Sequence, residues 1–73
     1  MGGPVSEIEI TVNGDRRMVP SGLDLPGLLA HLGLAPETVV VEHNRKIVRR
    51  AQLAGVPVAS GDNIEIVHFV GGG

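Results

Sequence analysis

The sequence predicts an α+β domain in which a mixed sheet of four to five strands packs against one main helix. Three observations predict it. An alternating apolar and polar run closes on Asn13-Gly14, leucines recur at helical spacing from Leu25 to Leu32, and Val/Ile-rich strands follow that helix. A helix placed between two pairs of strands has to lie across one face of their sheet to bury its leucines.

Val5 to Val12 puts Ile8, Ile10 and Val12 on one face and Glu7, Glu9 and Thr11 on the other, as in a half-solvated strand. Asn13-Gly14 is the strongest short hairpin signal, because both residues tolerate positive φ. The return strand, Asp15 to Val19, stops at Pro20. Asp24 is the expected N-cap of the helix, with Pro26 in a first turn where its missing N–H costs little. Leu25, Leu28, Leu29 and Leu32 form one stripe facing the sheet. Gly33 reads as a left-handed cap with Leu34 folding back behind it. Gly27 weakens the helix by about 1 kcal/mol relative to alanine.

Ala35-Pro36-Glu37 reads as a loop and Thr38 to His43 as a third strand. Asn44-Arg45 is a tight turn, and Lys46 to Val48 is a short strand at the sheet edge. Arg49 to Ala59 has no period; it reads as an irregular crossing loop whose Leu53 and Val56 plug the core. The turn Ser60-Gly61-Asp62 leads into a last strand, Asn63 to Val70, apolar enough to lie centrally between the first and third. That order is the β-grasp arrangement found in ubiquitin.

Seventy-three residues make a single domain over 1–73, with residues 1–5 as a loose lead-in and 71–73 as a flexible tail. The chain has no cysteine, hence no thiolate metal site and no cysteine nucleophile. Its charge of −2 and its one aromatic residue argue against duplex binding and against a stacking platform for single strands. No apolar run reaches the ~20 residues of a membrane span, and the N-terminus lacks a signal-peptide layout. A cytoplasmic monomer that binds neither nucleic acid nor membrane is expected.

The tail is the chemically distinctive stretch. A strongly apolar strand runs directly into Gly71-Gly72-Gly73. Three extended residues reach about 10 Å, and glycines enter narrow channels closed to other residues. The Gly73 carboxylate could thus sit inside a partner's active site while the body stays outside. On the last strand Ile64 and Ile66 share the core face by parity, which leaves Val67 and Phe69 apolar on the open face beside the tail. Val67, Phe69 and Val70 are the expected docking residues.

Taken together these pieces resemble the ThiS family of thiazole-biosynthesis sulfur carriers. The resemblance rests on the opening strand with Asn13-Gly14, on Leu32-Gly33-Leu34, and on Val39-Val40-Val41-Glu42-His43-Asn44 leading into Ile47-Val48. It extends through Ser60-Gly61-Asp62-Asn63-Ile64-Glu65-Ile66-Val67 to the terminal Gly-Gly, from about Ile8 to Gly73. It implies a carrier without catalytic machinery, binding no cofactor itself. A ThiF-type adenylyltransferase would use ATP to adenylate the Gly73 carboxylate, sulfur would displace AMP to leave a thiocarboxylate, and thiazole synthase ThiG would take the sulfur. Gly72 would complete the Gly-Gly pair and Gly71 would extend the arm. Arg45-Lys46 departs from the Gly-Glu that family members often carry after this Asn, which leaves the turn geometry open.

Other constellations carry less. Arg16-Arg17 and Arg45-Lys46 with Arg49-Arg50 read first as solvated edges that protect short strands from aggregation. His31, His43 and His68 fall on three elements with no metal-ligand spacing. Ser6, Ser21 and Ser60 have no His/Asp partners placed by motif. The alternatives are the small subunit of molybdopterin synthase, a carrier for another thiolation pathway, and, in a different class, a ubiquitin-like module that binds non-covalently and has an inert tail.

Overall fold

The computed structural model describes residues 6–69. The expected lead-in, Met1 to Val5, the expected docking residue Val70 and the expected tail Gly71, Gly72 and Gly73 lie outside the described residues. Five strands form one sheet: β1 (Glu7–Val12), β2 (Asp15–Pro20), β3 (Val39–His43), β4 (Lys46–Val48) and β5 (Asn63–His68), in the order β2-β1-β5-β3-β4. One helix, α1 (Leu25–His31), covers a single face. β5 is central, parallel to β1 and antiparallel to β3, and the fold is a β-grasp.

Both hairpins turn through positive φ. Asn13 and Gly14 adopt φ 52 and 86, and Asn44 and Arg45 adopt 51 and 73. Positive φ at both central residues gives each turn a twist that matches the right-handed twist of its flanking strands. Arg45 therefore occupies a conformation that glycine takes without steric cost.

Asp24 caps α1 by accepting from the Gly27 N–H at 2.8 Å. At the other end the Leu34 N–H donates to the Leu29 carbonyl at 2.8 Å and the Gly33 N–H to Ala30 at 3.0 Å, with Gly33 at φ 77. This is the Schellman closure, and Leu34 packs back on the core as its hydrophobic partner. Gly27 costs less than its propensity suggests. A Cβ there would lie 3.1 Å from the capping oxygen of Asp24 and 3.2 Å from Leu23 Cδ2, so alanine would press on the cap.

Leu25, Leu28 and Leu29 of the stripe are fully buried against Ile10, Val19, Val41 and Ile64, while Leu32 is half-buried at the cap. Each such burial contributes about 1.5–3 kcal/mol, and no aromatic ring takes part. Two segments read as loops are more ordered. Pro36–Thr38 forms a 3-10 turn, with Pro36 setting its first φ. Arg50–Gly55 forms a longer 3-10 helix that inserts Leu53 into the core. Val56 is only half-buried, whereas Val58, which had no periodic signal, is a core residue. The crossing segment is tied to the helix entrance by Leu25 N–H to Val56 and Val58 N–H to Leu23, at 3.0 and 2.9 Å.

Candidate functional site

β5 leads to the tail, and its surroundings define the candidate docking site. Ile64 and Ile66 point into the core, and Glu65, Val67 and Phe69 point to the open face. Val67 is 62% exposed and Phe69 61%, as parity predicts for the two expected docking residues within the described range. Val67 stands directly opposite Val40 on β3. Val40, Ile47 and Phe69, with Pro36 at one end, line an open cleft of about 320 Å³. An apolar patch on an open sheet face is a candidate interaction surface.

The patch is bordered by acid on its β5 side, at Glu42 and Glu65, and by base beyond β4, at Arg49 and Arg50. Glu42 and Glu65 are cross-strand partners on the same face, and like charges set opposite one another are mutually unfavourable. Sequence reading missed this pair because it depends on the β3–β5 register. The β5 backbone remains held at the patch: the Phe69 N–H donates to the Thr38 carbonyl at 3.0 Å, one step past the last strand pair.

A polar cluster closes the other end of β5. The His43 Nε2–H donates to Asp62 Oδ2 at 2.7 Å, and the Asn44 amide donates to Asp62 Oδ1 at 3.2 Å. The Ala59 N–H adds a bond to Oδ2 at 2.9 Å. The Asn63 N–H donates to Asn44 Oδ1 at 2.8 Å, and the Asn44 N–H donates to the Asn63 carbonyl at 2.8 Å. Burial pushes the Asp62 carboxyl upward, but the bonds from Ala59, His43 and Asn44 outweigh it and hold the group below its ordinary value. The cluster fixes the β3–β4 turn to the start of β5. His43 is thereby engaged structurally, and among the described residues no three His, Cys, Asp or Glu side chains gather as metal ligands.

Arg16 reaches Glu9 at 3.7 Å, but both are exposed and such a pair contributes little. Among the described residues no helix is long and apolar enough to cross a membrane.

Comparison with known proteins bears on this arrangement. Residues 6–73 match the ThiS family. The chain belongs to that family. Its ThiS-type fold superposes on the crystal structure of thiamine biosynthesis protein ThiS from Geobacter metallireducens with a TM-score of 0.78 and 35% identity, covering 90% of this chain and 100% of that one. The sulfur carrier protein ThiS of Bacillus subtilis is 46% identical over 46 residues, 63% of this chain and 70% of that protein. A thiazole synthase of Magnetococcus marinus is 44% identical over 66 residues. The match spans 90% of this ThiS-family chain but only 20% of that synthase. A designed protein based on a ubiquitin template shares the fold alone, at 22% identity and a TM-score of 0.52.

Proposed function

We propose that the chain is a sulfur carrier for thiamine biosynthesis, with Gly73 as the group that carries the sulfur. Membership of the ThiS family, together with the exposed apolar patch at Val67 and Phe69 where β5 leaves the sheet, supports this reading most strongly. A carboxylate is a poor electrophile. Attack of a Gly73 carboxylate oxygen on the α-phosphorus of ATP expels pyrophosphate and forms an acyl adenylate. A sulfur nucleophile then adds to the acyl carbon, AMP leaves, and a thiocarboxylate remains.

The adenylation site and its acid–base groups belong to a ThiF-type partner, and the acceptor is a ThiG-type thiazole synthase. The presence of a similar stretch within relatives named thiazole synthase supports the second assignment. Gly71 and Gly72 serve as an arm narrow enough for both active sites, and Val67, Phe69 and Val70 serve as the docking surface. A matching partner surface is apolar at its centre, with basic groups facing Glu42 and Glu65.

Intact-mass measurement after incubation with ATP, sulfide and the cognate activating enzyme tests the proposal. A carrier gains the mass difference between one sulfur and one oxygen atom. Gly72→Val and Gly73→Val retain the urea midpoint of the parent chain and lose adenylation. An unchanged mass, or AMP formation by the variants at the parent rate, refutes it.

A further inference from the structure

The sheet ends at β4, which pairs only with β3 in the register Val41–Val48, Glu42–Ile47 and His43–Lys46. In an antiparallel pair closed by a two-residue turn, the closing pair is hydrogen-bonded and the next is not. His43–Lys46 and Val41–Val48 therefore bond inward, and Ile47 turns its N–H and C=O outward along an open edge. The Ile47 side chain is 68% exposed.

Two clefts flank this edge. One, of about 580 Å³, is formed by Lys46, Val48, Gln52 and Val56. The other, of about 320 Å³, is formed by Pro36, Val40, Arg49 and Phe69. Ile47 and Val48 line both. Successive side chains of an added strand project to opposite faces, so such a strand would set its residues alternately over the two clefts.

Positive charge gathers on β4 and its flanks, while Glu42, the register partner of Ile47, and Glu65 lie on the strands inward of it. Arg45, Lys46, Arg49 and Arg50 stand on or beside this edge, in a chain whose Lys+Arg total is 6. All four are exposed, and the ion pairs among the described residues, Arg16–Glu9 and His43–Asp62, involve none of them. On the opposite edge Arg16 already faces Glu9.

We propose that the β4 edge receives an extended acidic segment of a partner protein. The segment adds a sixth strand outside β4, bonded to the Ile47 N–H and C=O. Its apolar side chains fill the two clefts, and its carboxylates meet Arg45, Lys46, Arg49 and Arg50. A second copy of this chain fits poorly, since β4–β4 pairing would set the same cations against one another. The edge shares its Phe69 cleft with the surface proposed above for the carrier's partners, but the titration reads the peptide on β4 alone and is decided whether or not Gly73 carries sulfur.

The probe is the capped peptide Glu-Val-Ile-Val-Asp-Asp, titrated into the full chain and followed by amide NMR. The expected result is saturable shifts centred on Ile47 and Arg49, slowed exchange of the Ile47 amide, and affinity that falls with salt. Reversing charge with Arg49→Glu and Arg50→Glu weakens binding about tenfold or more. Ile47→Pro removes the outward N–H without touching the β3 ladder; it abolishes binding and keeps the urea midpoint of the parent. The proposal is overturned if the lysine-substituted peptide binds equally, if the shifts centre on β2, or if Ile47→Pro folds and binds as the parent does. It is equally overturned if an oligothymidylate binds this edge more tightly than the peptide, which would make it a phosphate-tracking surface.

Discussion

Asn13→Gly and Asn13→Ala separate two roles of one residue. Asn13 turns the β1–β2 hairpin at φ 52, and its side chain also reaches β5. Nδ2 donates to the Ile66 carbonyl at 3.1 Å, and Oδ1 accepts from the Ile66 N–H at 2.7 Å. The amide thus prolongs the β1–β5 pairing, whose last backbone register pair is Val12–Ile64. Glycine keeps the positive φ without strain and deletes both bonds. At about 1 kcal/mol each, this costs about 2 kcal/mol. Alanine deletes the same bonds and adds a left-handed penalty of about 1 kcal/mol, for a total of about 3 kcal/mol. A domain of this size has roughly 4–11 kcal/mol in hand, so both variants fold. For glycine the corresponding fall in Tm is about 8–16 °C. Urea unfolding gives the two differences, and hydrogen exchange at the Ile66 amide reports the bond itself. A glycine variant within about 0.5 kcal/mol of the parent, or an alanine variant equal to glycine, would refute the assignment.

Asp62→Asn should lower stability at neutral pH by about 2 kcal/mol, because the carboxylate accepts from His43, Asn44 and Ala59. The folded-state pKa of Asp62 lies below its unfolded value, so its contribution is complete above about pH 4 and is lost as pH falls through the folded pKa. Urea midpoints of parent and variant therefore converge with acidification, and a constant gap would contradict the network. Arg45→Gly relieves a positive φ of 73 and should stabilise by about 1 kcal/mol, read from the same midpoints. Phe69→Ala, at a site 61% exposed, should change stability by less than about 1 kcal/mol while weakening capture by the proposed ThiF-type partner in a binding titration. A loss above about 3 kcal/mol would place the ring in the core instead.

The elements that could be read from the sequence are those whose signal is local. Alternation fixed β1, Asn-Gly fixed its turn, and leucine spacing with Asp24 and Gly33 fixed α1 at both ends. The open-face placement of Val67 and Phe69 followed from parity once Ile64 and Ile66 were assigned to the core. What escaped depends on partners distant in sequence. The Asn13 clamp spans 53 residues and the Asp62–His43 bond 19, and neither Asn nor Asp advertises a remote partner when a local turn already accounts for it. Val58 was hidden for a related reason: its burial comes from the backbone bond to Leu23, which no periodicity announces.

These long-range bonds hold the central strand unevenly along its length. β5 runs past the end of β1, so its far half lacks a backbone neighbour on that side once the register passes Val12–Ile64. Asn13 extends support to Ile66, and beyond it β3 and the Thr38 carbonyl hold the strand from the other side through Val39–His68 and the Phe69 N–H. Constraint therefore decreases along β5, from the Asp62 cluster at its start to a single described backbone bond at Phe69. Amide exchange should quicken stepwise from Ile64 to Ile66 to Phe69. Protection at Phe69 equal to that at Ile64 would refute this gradient.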